Sequence, residues 1–197
     1  MNDNDVRVVN TKKALHGALL ALLKTTALET INVSSLCREA GVSRGAFYLH
    51  YKDVGSLFDE HVLHLLKDLE DSFYEPYRHV ARLVPSDLDP STIRIFHHVK
   101  KYQPFYEIVF DKRSSLSYYY ALLDKIKSLI LESASNDLSE VKDVGLLLAF
   151  QANAIMGMLI LWNEEGYDRS PEQMNERLTY MLKLQGNGFS DDENRHL

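Results

Sequence analysis

The sequence predicts an all-α protein. Apolar residues recur at helical spacing along most of its length, no segment with β-period alternation emerges, and 197 residues hold only 9 glycines and 5 prolines. So few turn formers cannot supply the tight reversals of an all-β fold. With 45% hydrophobic and 25% charged residues, the chain can bury a real core.

Each element follows from its own signals. From Thr11 to Lys24, Leu15, Ala18, Leu19 and Leu22 fall at i, i+3, i+4 and i+7 and predict an amphipathic helix. Asn32 is placed to cap a second helix bearing Val33, Leu36, Cys37 and Ala40. Gly41 should end that helix in the left-handed conformation that only glycine takes without steric cost. Ser43 then caps a short helix from Arg44 to about Tyr51, with Phe47 and Tyr51 on one face and Arg44, Tyr48 and Lys52 on another. Asp53, with Ser56 after it, caps a long helix whose apolar face is Phe58, Val62, Leu65, Leu66, Leu69 and Phe73, disturbed at Pro76.

Beyond a loop from Val84 to Pro90, Asp89-Pro90 and Gln103-Pro104 each signal the start of a short helix. Ser114 or Ser115 should begin a helix with Leu116, Tyr119, Leu123 and Ile126, and Ser139 a long apolar helix ending near Glu165. Ser170-Pro171-Glu172-Gln173 combines an N-cap, a first-position proline and a capping-box glutamine for the last helix, which Gly186 and Gly188 should end. The polar residues 190–197 read as a disordered tail.

Composition then narrows function. Cys37 is the only cysteine, so neither an intramolecular disulfide nor a cysteine zinc cage is possible, and a cytoplasmic setting is expected. The polar start Met1–Asp5 leads into no apolar run, so no secretory signal is expected. Val144 to Trp162 is uncharged and of membrane-spanning length. Its Gln151, Asn153, Gly145 and Gly157 and its acidic flanks predict a buried helix of the core or of a dimer interface instead, with no membrane partner.

Enzyme signals are missing: there is no phosphate loop, dinucleotide fingerprint or Gly-x-Ser-x-Gly elbow, so no catalytic residue and no cofactor is expected. His61, His64 and Asp68 share a helix face and could ligate a metal, but histidines on a solvated face are commoner and no metal site is expected. The net charge of −6 conceals an asymmetry. Residues 6–52 hold seven lysines and arginines against two glutamates, a local +5 within an otherwise acidic chain.

Two helices joined by a turn at Gly41-Val42 make a helix-turn-helix whose last helix would enter a DNA major groove, although many small helical domains share that spacing. Arg44 has the chemistry to read guanine O6 and N7, and Tyr48, His50 and Lys52 can donate to phosphate oxygens. A surface helix with an incidental histidine is the competing reading.

The run from Thr11 to Leu23, followed by Ile31-Asn-Val-Ser-Ser-Leu-Cys-Arg-Glu-Ala-Gly-Val-Ser-Arg-Gly-Ala-Phe-Tyr-Leu-His-Tyr-Lys-Asp53, resembles the amino-terminal domain of the TetR family of transcriptional regulators. Ala46 departs from the more usual threonine or serine, and Tyr51 from phenylalanine. The resemblance implies backbone contacts from Ser34 and Ser35, base contacts from Arg44, Gly45 and Ala46, and phosphate contacts from Tyr48, His50 and Lys52. Lys100 to Tyr106, Leu161 to Gly166 and Ser170 to Met174 look like a subgroup that includes dihydroxyacetone-kinase regulators.

The implied organisation is a DNA-binding domain at residues 1–53, a helical effector-binding and dimerisation domain at 54–189, and a tail at 190–197. The implied function is that of a homodimeric repressor that binds a palindromic double-stranded DNA operator and answers to an unknown small-molecule effector. Ala149, Asn153 and Gly157 form a small-residue stripe suited to close helix packing, joined by Met174, Leu178 and Met181 as dimer-interface candidates. Among a surplus of aromatics, Tyr102, Tyr106, Tyr119, Phe150 and Trp162 are the effector-pocket candidates. The alternatives are a helical small-molecule sensor without DNA binding and an adaptor that uses the helix-turn-helix for protein contacts.

Overall fold

The computed structural model describes residues 3–79, 88–111, 116–133 and 141–187, and every regular element among them is helical. The α-helices are α1 (Asp3–Leu23), α2 (Val33–Ala40), α3 (Arg44–Tyr48), α4 (Val54–Tyr74), α5 (Ile95–Lys101), α6 (Gln103–Val109), α7 (Leu116–Ser133), α8 (Val144–Glu164) and α9 (Pro171–Asn187). Two compact units form: Met1–Lys67 with Pro104–Ala121, and Asp68–Gln103 with Leu122–Leu197.

In the first unit, α1 begins eight residues earlier than its apolar stripe suggests. No glycine or proline interrupts residues 3–16, so the helix extends over its polar start. Leu15, Ala18 and Leu19 are buried, and α1 packs against α2. The Asn32 side chain accepts from the Ser35 amide at 3.0 Å, starting α2, and Gly41 ends it at φ 66°. Ser43 accepts from the Ala46 amide at 3.1 Å.

Helix α3 stops at Tyr48, short of the expected Tyr51, yet the Tyr51 amide still donates to the Phe47 carbonyl at 3.0 Å. That bond keeps Tyr51 buried beside Phe47. At the next start, the Asp53 carboxylate accepts from the Ser56 amide at 2.8 Å while the Ser56 hydroxyl accepts from the Asp53 amide at 3.2 Å. Phe58, Phe105 and Tyr118 pack as an aromatic cluster of this unit.

In the second unit, Pro76 falls where α4 gives way to a 3-10 turn, Glu75–His79. Asp89-Pro90 opens only a further 3-10 turn, Pro90–Thr92, with the Asp89 carboxylate accepting from the Ser91 amide at 2.8 Å. Helix α5 follows from Ile95 and packs on α9. The cap of α8 is Asp143, which accepts from the Leu146 amide at 2.9 Å, rather than Ser139. At its other end Gly166 and Tyr167 take positive φ values of 69° and 59° and turn the chain toward α9.

Ser170 and Gln173 form the reciprocal capping box that opens α9. Gly186 does not end this helix, which continues to Asn187. Ser114, Ser115, Ser139, Gly188, residues 84–87 of the expected loop and the 190–197 tail lie outside the described residues.

Candidate nucleic-acid interface

The face of α3 turned away from the core is built by what its other face buries. Phe47 is fully buried, with Leu36 and Cys37 of α2 buried in the same unit, so Arg44, Gly45 and Tyr48 are left exposed, Tyr48 at 53%. Lys52 is exposed as well, and Ala46 and His50 are half-buried. A Cβ added at Gly45 would meet the Ser43 hydroxyl at an ordinary 3.8 Å, so packing inside the chain does not demand glycine there.

The two serines of α2 differ. Ser34 is exposed, whereas the Ser35 hydroxyl donates to the Asn32 carbonyl at 2.8 Å. A hydroxyl whose proton is spent in its own turn has only lone pairs left to offer, which a phosphate cannot use. Ser35 is therefore a capping residue in this structure, and a contact from it needs that bond to break. Leu49, absent from the candidates, is 81% exposed between Tyr48 and His50.

Behind α3 lies a titratable cluster of the first unit. Lys12 donates to Glu60 at 3.0 and 3.2 Å and sits 5.3 Å from the centre of the Tyr51 ring. The Tyr51 hydroxyl and His16 Nε2 are 3.4 Å apart, and the His16 and His61 rings are centred 5.3 Å apart. Burial opposes ionisation of Glu60, but Lys12, Tyr51 and His16 together hold its carboxyl below the usual range. Burial, then the charges of His16 and His64, push His61 down to about 4. Burial lowers His16 as well. These groups tie α1, α4 and the end of the recognition segment into one polar junction.

Helix α8 is long and apolar enough to cross a membrane by length and composition. Within the chain it buries Ala152, Met156, Leu159 and Trp162 and leaves a second apolar face exposed. That face carries Leu146, Phe150 at 60%, Asn153, Gly157 and Leu161 at 55%. Asn153 also donates to the Ala149 carbonyl at 2.8 Å, and nothing lies within 4 Å of a Cβ placed at Gly157. On α9, Tyr180 and Met181 are exposed and Leu178 is half-buried. Met174, expected at a dimer interface, is only 4% exposed and belongs to the chain's own core. Leu146 and Leu161 of α8 and Tyr180 of α9 are further exposed apolar residues on these two helices.

The five aromatic candidates fall in different settings. Tyr106 is buried and Tyr119 half-buried in the first unit; in the second, Tyr102 is half-buried. Trp162 is fully buried against Phe96 and Tyr167, and its indole N–H donates to the Arg169 carbonyl at 3.1 Å. Tyr106 and Trp162 are thus core, and Phe150 is surface. A cavity of about 380 Å³ in the first unit is lined by Leu23–Glu29, Glu107, Ile108, Asp111 and Tyr118. Another in the second, about 660 Å³, is lined by Asp89–Ser91, Arg94, His97, Glu172, Asn175 and Glu176. None of the five candidates lines either.

Of the three groups considered as metal ligands, His64 is exposed, and His61 and Asp68 have other partners. His61 packs its ring against His16 and Phe105. Asp68 accepts from His98 Nδ1 at 2.7 Å and from Lys101. Burial favours neutral His98, and Asp68 opposes that shift. Among the described residues no group of three His, Cys, Asp or Glu side chains is placed to hold a metal.

Residues 86–184 match the family model of a transcriptional regulator C-terminal region. A curated relative, the uncharacterized HTH-type transcriptional regulator YxbF of Bacillus subtilis, is 19% identical over 161 residues; the match takes in 82% of this chain and 42% of the relative's length. The chain thus spans less than half of that relative. Among solved structures, the fatty acid degradation regulator FadR of Bacillus halodurans superposes with a TM-score of 0.61 at 12% identity, over 94% of this chain and 97% of that one. The dihydroxyacetone kinase operon activator DhaS superposes at 0.50 and 19% identity, over 89% and 95%. These structural likenesses are of fold alone, so the subgroup resemblance goes no further than that.

Proposed function

The chain belongs to the TetR family of transcriptional regulators, and from that premise we propose that it binds a near-palindromic DNA operator as a homodimer through residues 33–52 and represses until a small-molecule effector releases it. Members of this family bind DNA and typically dimerise and respond to small molecules. The observation that carries the reading here is the exposed face of α3 and its end. Phe47 and Tyr51 are locked inward, and Arg44, Tyr48, His50 and Lys52 are left at least partly exposed, a set of donors suited to the phosphates and base edges of a duplex.

In this reading Arg44 reads guanine, Tyr48, His50 and Lys52 hold phosphates with Ser34, and Gly45 and Ala46 admit close approach to the bases. Residues 1–53 act as the DNA-binding domain and 54–189 as the effector-binding and dimerising one. The open apolar face of α8 with Tyr180 and Met181 of α9 supports an isologous dimer, in which each protomer covers the other's patch. A helix this apolar is then buried by its twofold mate, which accounts for its composition without a bilayer.

The test is a gel shift on the DNA upstream of its own gene across a salt series. The expected result is a preferred duplex whose affinity falls steeply with salt. Equal, weak retention of every duplex would support a sensor or an adaptor instead. For the effector, candidate metabolites are titrated while Trp162 emission and operator binding are followed together. Linkage requires that a ligand weakening operator binding tenfold be itself weakened tenfold by operator.

A further inference from the structure

Leu49 is a large apolar side chain with 81% of its surface exposed, the highest among the described large hydrophobics. A single exposed leucine is ordinary on a protein surface. Its neighbours make this one different. Leu49 stands four residues after Gly45 and three after Ala46, so the three share one side of the recognition segment, and the first two offer nothing larger than a methyl. The result is a small apolar strip between exposed Arg44 and Tyr48 and the half-buried His50, with exposed Lys52 beyond it.

A strip of this kind, framed by positive charge and hydrogen-bond donors, complements one chemical feature of a polyanion. Phosphates, sugars and most base edges are polar, and the thymine 5-methyl is the apolar group that the major groove displays. We propose that Leu49 reads a thymine methyl in each operator half-site, adding a thymine preference that the donors around it cannot supply. This rests on the operator reading above.

The experiment begins with selection of preferred duplexes from a random pool by the full-length protein. Each thymine of the chosen half-site is then replaced in turn by deoxyuridine, which removes only the methyl, and affinities are measured for the wild type and for Leu49→Ala. Leu49 is 81% exposed, so the variant should keep its fold, and circular dichroism checks this. At one position, uracil should cost the wild type about fourfold per half-site, the worth of one buried methyl, and cost Leu49→Ala nothing. The two-by-two comparison isolates the pair from any general effect of either change.

Equal uracil losses in both proteins, or no sensitive thymine in the wild type, would overturn the assignment while leaving the operator reading intact. A pool that yields no preferred sequence would overturn the operator reading, and this inference with it. Loss of dimer mass in Leu49→Ala, without any thymine effect, would assign the strip to a protein contact and would equally overturn it.

Discussion

Replacement of Gly157 by leucine separates the chain's own packing from that of its dimer. Within one chain a side chain at 157 meets open space, with nothing within 4 Å of its Cβ. Leucine is also the better helix former by about 0.8–1 kcal/mol, so the isolated fold should hold or gain. A twofold mate packed along the Phe150–Leu161 face would meet the new side chain directly. Overpacking costs about 1–3 kcal/mol per inserted side chain, and an isologous interface receives two, about 2–6 kcal/mol in all. At about 1.4 kcal/mol per tenfold, the dimer dissociation constant should rise by a factor between about 30 and about twenty thousand. Light scattering over a concentration series reads the mass, and circular dichroism reads the helicity. An unchanged dimer would refute the placement of the interface on this face, and lost helicity in Gly157→Leu would refute the claim that position 157 is open within the chain.

Three further outcomes are expected. Arg44→Ala should cost about 1–3 kcal/mol and relax preference at one base position per half-site, whereas Lys52→Ala should weaken all duplexes alike and reduce the salt slope by about one, both read by fluorescence anisotropy. His16 and His61 are held neutral in the fold with lowered pKa values, so the stability they contribute is complete above the free histidine value of about 6.5 and is lost as pH falls toward about 4; melting temperatures measured between pH 7 and 4.5 should drop less steeply in His61→Phe. Gly41→Ala should cost about 1–2 kcal/mol in urea unfolding from backbone strain alone, since φ is 66° with room for a Cβ, and Gly41→Asn should cost less.

Much of this fold was legible because helix boundaries are written in single residues with one physical role. Asn32, Gly41, Ser43, the Asp53–Ser56 pair and the Ser170–Gln173 box all act as their chemistry requires. Where a signal is shared by neighbours, sequence decides less well: Ser139 and Asp143 are both N-cap types, and the helix starts after the later of them, Asp143. The recognition segment was readable because Phe47 and Tyr51 mark the inner face and thereby the outer one. Helix α8 carried no such mark, since a helix apolar on all sides has no periodicity to reveal which face its own chain buries. Phe150 was accordingly expected in a pocket and lies on the surface, and Met174 was expected on the surface and lies in the core. The Ser35 hydroxyl is illegible for a different reason: whether it bonds within its own turn at Asn32 is a local competition that only geometry decides.

A dimer that reads duplex DNA through the α3 face fixes stoichiometry, sequence preference and salt dependence at once. Light scattering of the purified chain mixed with a selected operator, with anisotropy competition by random duplex of equal length across a salt series, reports stoichiometry, preference and electrostatic contact together. Two protomers are expected on each palindromic site, bound roughly a thousandfold or more tighter than to random duplex, with a steep salt slope that becomes shallower by about one in Lys52→Ala. A single protomer per duplex, or equal affinity for selected and random DNA, would contradict this reading.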